Sequence, residues 1–113
     1  KSALNEVISQ LHEDGLQDDA RFAQSYLRYR AARGLGPERI SQELQQKGID
    51  SATIAEAFAL HETDWQLALL ELYQKKYGEQ KPFDINEKAR CTRFLVSRGF
   101  SFAAINRLWR ELA

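Results

Sequence analysis

DDARFAQSYLRYRAARGLGPERISQELQQKGIDSATIAEAFAL, residues Asp18 to Leu60, decides the fold. It reads as a helix ending at Arg33-Gly34, a second helix ending at Lys47-Gly48-Ile49, and a short third helix. Glycine suits a helix end because it turns left-handed without a Cβ penalty. The same order returns between Asp64 and Leu112, with Tyr77-Gly78 and Arg98-Gly99-Phe100 at the corresponding helix ends. The first glycines lie 44 residues apart and the second pair 51, so the second copy carries seven extra residues after its first helix. Tandem three-helix units contact mainly their neighbours and form an extended scaffold for binding. The layout does not suggest an enzyme.

The remaining punctuation is also helical. Gly36-Pro37-Glu38-Arg39 puts proline at a first helical position, where its missing N–H costs nothing. Asp84-Ile85-Asn86-Glu87 is a capping-box variant. Asp50 or Ser51 can cap the third helix, Asp64 the fourth and Ser101 the sixth. No strand-like alternation competes, so the expectation is an all-α chain. A preceding helix, about Ala3 to Asp14 with Leu4, Val7, Ile8 and Leu11 on one face, belongs to neither complete copy. The expected units are residues 1–16, the last helix of a truncated first repeat, then repeats at 17–61 and 62–113.

A chain of 113 residues can bury one core or two small ones. No run approaches the roughly 18 apolar residues of a membrane span. The single cysteine, Cys91, excludes an internal disulfide framework and fits a reducing cytoplasm. Sixteen basic and sixteen acidic residues cancel, but unevenly. Lys88 to Arg110 holds six cations and no acid, and Arg21 to Pro37 holds four arginines and no acid. Ten of the sixteen cations are arginine, the side chain suited to bidentate contact with phosphate and carboxylate. Zero net charge thus conceals basic faces fitted to an anionic partner.

Placing residues at 100° per step gives the buried stripe of the first helix as Phe22, Ala23, Tyr26 and Leu27. Arg21 and Arg28 point away from it, while Arg30 falls on it and is expected to snorkel or to pair with a carboxylate. In the helix from Trp65, Trp65, Leu69, Leu72 and Tyr73 face one way and Leu67 and Leu70 others, as though it were clasped on two sides. In the fifth helix Ile85, Ala89, Thr92 and Val96 are expected inside, with Arg90, Arg93 and Phe94 projecting. In the last helix Phe102, Ile105, Leu108, Trp109 and Leu112 are expected inside, leaving Arg107 and Arg110 outside.

Catalytic and metal chemistry finds little support. His12 and His61 stand far apart, and no Cys/His cluster or calcium-loop spacing occurs. The acidic group Glu13, Asp14, Asp18 and Asp19 reads as helix caps and a solvated turn. Cys91 reads as core filler rather than nucleophile. The pair of helices around Gly48 superficially has the form of a helix-turn-helix. Its would-be reading helix, Ser51 to Phe58, carries no base and one acid, so it suits no DNA groove. Phe94 beside Arg90 and Arg93 can either stack on a nucleobase or pack on a neighbouring helix.

Asp18-Asp19-Ala20-Arg21-Phe22-Ala23, Arg28-x-Arg30, Gly34-x-Gly36-Pro37-x-x-Ile40-x-x-Glu43-Leu44 and Lys47-Gly48-Ile49 closely resemble the RecX family, regulators of the RecA recombinase. Asp64-Trp65, Lys75-Lys76-Tyr77-Gly78, Lys88-Ala89-Arg90, Arg93-Phe94-Leu95 and Arg98-Gly99-Phe100-Ser101-Phe102 continue the match. The resemblance covers the chain from about Leu11 onward and implies an elongated array of tandem three-helix repeats, with no catalytic residue and no cofactor. It implies RecA and the RecA–DNA filament as partners, with single- and double-stranded DNA as further ones. The implied outcome is inhibition of ATP hydrolysis, co-protease activity and strand exchange, within recombination and the SOS response; the alternative is a DNA-binding protein that competes for the strand. The family motif fixes no binding residues. The helical faces select Arg21, Arg28, Lys75, Lys76, Arg90, Arg93, Arg107 and Arg110, with Arg39 and Arg98 as further candidates that also suit helix ends or packing. A cytoplasmic monomer without membrane contact completes the expectation.

Overall fold

The computed structural model describes residues 18–112, which form six α-helices and, among the described residues, no strand. They are α1 Asp19–Ala32, α2 Pro37–Gln46, α3 Ser51–Leu60, α4 Trp65–Tyr77, α5 Ile85–Ser97 and α6 Phe102–Leu112. The helix expected at Ala3 to Asp14 and the unit expected at 1–16 lie outside the described residues. Long and short axes of 51 and 20 Å, and a radius of gyration of 15.9 Å, describe an elongated body. A compact chain of this length would have a radius of gyration of about 13 Å.

Caps set the helix boundaries. Asp50 accepts from the Thr53 amide at 2.7 Å, and Asp64 accepts from Gln66 and Leu67 at 3.1 Å each. Asp84 accepts from Glu87 at 2.8 Å, while the Glu87 carboxylate returns to the Phe83 N–H. Ser101 Oγ accepts from Ala104 at 3.1 Å. Asp18 stands at the start of α1 but makes no side-chain cap bond. Gly34, Gly48, Gly78 and Gly99 follow helix ends with φ between 88° and 105°.

Each set of three helices closes on its own core. Phe22, Ala23, Tyr26 and Leu27 of α1 are buried with Leu35, Ile40, Leu44, Ile49, Ile54 and Ala57. Leu69 and Tyr73 of α4 are buried with Cys91, Leu95, Phe100, Ile105, Leu108 and Trp109. Trp65 packs against both clusters, at 6.0 Å from the Phe58 ring and 5.7 Å from His61. In both repeats the first helix packs most extensively on the third.

Three expected faces are corrected. The buried residues of α5 are Cys91 and Leu95, whereas Ile85 is 80% exposed and Ala89 and Val96 also face solvent. Leu95 and Phe100 enter the core together from either side of the Gly99 turn, and Cys91 lies one turn before Leu95. That pair outweighs the pull of the β-branched side chains. Phe102 is 64% exposed, because as the first residue of α6 it precedes the turn that meets α4. Leu67 is 49% exposed, so α4 is not covered on both sides.

Main chain joins the two repeats. The Gly36 N–H donates to the Arg98 carbonyl at 2.7 Å and the Glu38 N–H to the Gly99 carbonyl at 3.0 Å. Two amides at the start of α2, which lack intrahelical partners, thereby find acceptors at the end of α5. The approach is closer than any side chain permits. A Cβ on Gly36 would stand 2.5 Å from the Gly99 oxygen, and one on Gly99 would collide with Cβ of Arg39.

Glu43 supports this junction from α2. It accepts from Tyr26 Oη at 2.7 Å, from Arg30 Nε at 3.2 Å and from Arg39 Nε at 3.2 Å. Arg39 Nη1 then donates to the Ser97 carbonyl at 3.1 Å, across to the second repeat. Arg30 thus finds the carboxylate expected of it. Burial opposes the charge on Glu43, but the bonds from Tyr26, Arg30 and Arg39 outweigh it and hold the carboxyl below its ordinary value of 4.5. Burial and this carboxylate push the Tyr26 hydroxyl up to about 12.

Gly99→Ala is expected to destabilise by about 2–4 kcal/mol, combining left-handed strain with overpacking. Gly48→Ala shares the positive φ with open space around it, and is expected to cost about 1 kcal/mol. Urea melts of both variants check this, and equal losses would show that the junction adds nothing. Glu43→Gln is expected to cost about 1–3 kcal/mol at neutral pH. Because the folded carboxyl titrates below the unfolded one, its contribution is present above pH 4.5 and is lost as pH falls through the lowered value. The stability gap between wild type and Glu43→Gln should therefore narrow on acidification below that point, and an unchanged gap would contradict the assignment.

Candidate functional site

A groove of about 620 Å³ lies beside the glycine junction, walled by both repeats. Arg33, Gly34 and Leu35 line it from the end of α1; Lys75, Lys76 and Leu72 line it from α4; Arg98 and Phe100 come from the end of α5. Glu71 is the one carboxylate in its lining. Among the described residues, the ion pairs engage Arg30, Arg39, Arg90 and Arg107 and none of the four groove cations.

Aromatic rings hold three of these cations instead. Arg33 lies over the Tyr29 ring at 4.6 Å; Lys76 lies 4.8 Å from the Phe94 ring and 5.7 Å from Tyr77; Arg98 lies over Phe94 at 5.8 Å. Such contacts orient a cation without neutralising it. The Arg98 Nε atom is buried and has no hydrogen-bond partner. Phe94 itself meets Tyr77 edge-on at 5.9 Å and packs against the second core. Its alternatives therefore resolve toward packing on a neighbouring helix, and its expected projection beside Arg93 is corrected.

The eight cations selected from sequence divide into groups. Lys75 and Lys76 stand in the groove. Arg90 is exposed on α5, 3.9 Å from Glu87, and its charge partly offsets the rise that burial imposes on the Tyr77 hydroxyl. Arg93 is exposed on the same helix. Arg107 pairs with Glu111 at 3.0 Å and Arg110 is exposed beyond it on α6. Arg21 and Arg28 are exposed on α1; Arg28 borders a separate hollow with Gln24, Leu60, His61 and Glu62. Burial first, and the Arg28 charge second, hold the His61 pKa below its ordinary value.

The groove adds Arg33, which is not among the eight expected cations, and Arg98, a further candidate that also suits a helix end or packing. A signal for both was present: each is the arginine of an Arg-Gly pair ending a helix, and the two pairs meet at the junction. Nucleophilic chemistry is disfavoured at Cys91, which is 1% exposed, with burial pushing its thiol up. Among the described residues no group of three metal-ligating side chains converges. No described helix is long and apolar enough to cross a membrane.

The family model described as RecX, second three-helix domain, matches residues 18–57, and that for the RecX third three-helix domain matches residues 62–109. A Regulatory protein RecX of Pseudomonas entomophila is 41% identical over 105 residues, covering 93% of this chain and 68% of the relative. One of Cronobacter sakazakii is 41% identical over 108 residues, covering 96% and 66%. One of Serratia proteamaculans is 38% identical over 112 residues, covering 99% and 67%. The chain thus spans about two thirds of the length of these curated relatives.

Cys91 provides a test of the chemistry at this end of the molecule. Its thiol is expected to react with a disulfide reagent at least about 100-fold more slowly in the native chain than in denaturant. A comparable rate in both would restore it as a candidate nucleophile.

Proposed function

The chain belongs to the RecX family, and from that premise we propose that it is a non-enzymatic negative modulator of RecA. It binds the RecA–DNA filament and inhibits ATP hydrolysis, co-protease activity and strand exchange, so restraining homologous recombination and the SOS response in the cytoplasm. The units at 17–61 and 62–113 act as successive repeats of one array, and the array acts as a monomer.

The observation that carries this reading is the groove between the repeats, where Arg33, Lys75, Lys76 and Arg98 form no ion pair with a carboxylate among the described residues. A filament of protein on DNA offers a long series of phosphates and acidic side chains. An elongated body with unneutralised cations at its centre fits such a surface. Arg90 and Arg93 extend the contact along α5, Arg107 and Arg110 along α6, and Arg21 and Arg28 along α1.

The test is the single-stranded-DNA-dependent ATPase of RecA, titrated with this chain at several DNA concentrations. Inhibition is expected well below the amount needed to cover the DNA and should be insensitive to added DNA. Lys75→Glu/Lys76→Glu is expected to raise the half-inhibitory concentration by roughly tenfold, about 1.4 kcal/mol. Inhibition that vanishes with excess DNA would instead identify a competitor for the strand.

A further inference from the structure

Arg98 takes part in two structures at once. Its carbonyl accepts the Gly36 N–H across the junction, and its guanidinium lines the groove, with Nη2 3.8 Å from the place of a Cβ on Gly34. The groove has one wall from each repeat, and the cations on those walls repel. Arg33 belongs to the first repeat; Lys75, Lys76 and Arg98 belong to the second. Arg33, Lys75, Lys76 and Arg98 lie at the C-terminal ends of α1, α4 and α5, so part of their charge answers three helix dipoles. Half a charge at each helix end, together with Glu71, still leaves the groove positive.

We infer that this groove is a phosphate-binding site whose occupancy locks the two repeats together through Arg98. The Arg98 guanidinium lines the groove and offers its Nη donors to phosphate oxygens, while its buried Nε, without an acceptor among the described residues, faces inward. Shared between Arg33 and the cations of the second repeat, the phosphate replaces repulsion across the groove with a bridge. Among the described residues no helix of one repeat packs broadly on a helix of the other, and the link combines two main-chain hydrogen bonds, the Arg39 contact, Trp65, and the side chains of Leu72 and Phe100 close to Gly34 and Gly36. Phosphate is favoured over carboxylate because the donors approach from several sides of an open groove. A tetrahedral group with several acceptor oxygens serves them better than one planar carboxylate.

The inference rests on the groove being the contact surface proposed above, but its test needs no RecA. Amide hydrogen exchange at Gly36 and Glu38 reads the junction directly. Three probes are titrated into the whole chain: inorganic pyrophosphate, a thymidylate 12-mer and polyglutamate. A phosphate probe is expected to slow exchange at both amides by roughly tenfold at saturation. Protection by pyrophosphate alone would assign the site to free phosphates, and protection by the oligonucleotide alone to a strand backbone; both support the site. Arg98→Gln should abolish protection and Lys81→Gln should leave it intact. If Arg98→Gln does not fold, Lys75→Gln/Lys76→Gln should weaken protection while keeping the junction.

Unchanged exchange at Gly36 and Glu38 with both phosphate probes, or equal protection by polyglutamate, would overturn the inference. RecA inhibition by a chain whose junction no phosphate protects would sink this inference alone. A protected junction without RecA inhibition would sink the filament reading alone.

Discussion

The structure depends on how closely two turns approach at Gly36 and Gly99. A helix start leaves amides without partners, and a helix end leaves carbonyls without donors. Here the amides of Gly36 and Glu38 at the start of α2 meet the carbonyls of Arg98 and Gly99 in the turn just after α5. The contact requires that neither glycine carry a side chain, since a Cβ on Gly36 would stand 2.5 Å from an oxygen. The relative placement of two cores, each complete in itself, follows from this one main-chain contact. It also decides which helix ends stand side by side, and therefore which cations share a groove.

The two flanks of the junction have opposite electrostatics. On one flank Glu43 gathers Arg30, Arg39 and the Tyr26 hydroxyl, so that its cations are spent on structure. On the other flank Arg33, Lys76 and Arg98 rest on aromatic rings with Lys75 beside them, and among the described residues the groove carboxylate is Glu71. A cation on a ring is held in place with its charge still available. Counting arginines cannot distinguish these flanks, because Arg39 and Arg98 both lie near helix ends and both touch the junction. The difference is whether a carboxylate from another helix arrives, and only the tertiary structure decides that.

The helix count and boundaries were legible because they are local. Pro37, Asp50, Asp64, Asp84 and Ser101 act within four residues of themselves, and the four glycines end helices through their own backbone. The stripe of α1 was legible because Phe22, Ala23, Tyr26 and Leu27 form one continuous apolar face. The face of α5 was not. Its apolar residues run around the helix, and the choice between Val96 and Leu95 depends on where Phe100 places the next helix. The same held for the site. Lys75 and Lys76 were found from their own helix, whereas Arg33 and Arg98 become neighbours only through a contact between residues more than sixty positions apart.

A junction of this kind is easier to bend than a packed interface. Sliding one hydrophobic face past another would break many contacts at once and resist graded change. Two hydrogen bonds between turns, with Trp65, Leu72 and Phe100 as apolar contacts, leave fewer contacts to reorder on a small rotation. For an array proposed to lie along a helical filament, that compliance has a physical use. Each repeat must meet its own part of a curved surface, and a rigid rod would fit one part at the expense of the next. The groove cations stand where such a bend would occur, so the charge of a bound surface would act on the angle as well as on the affinity.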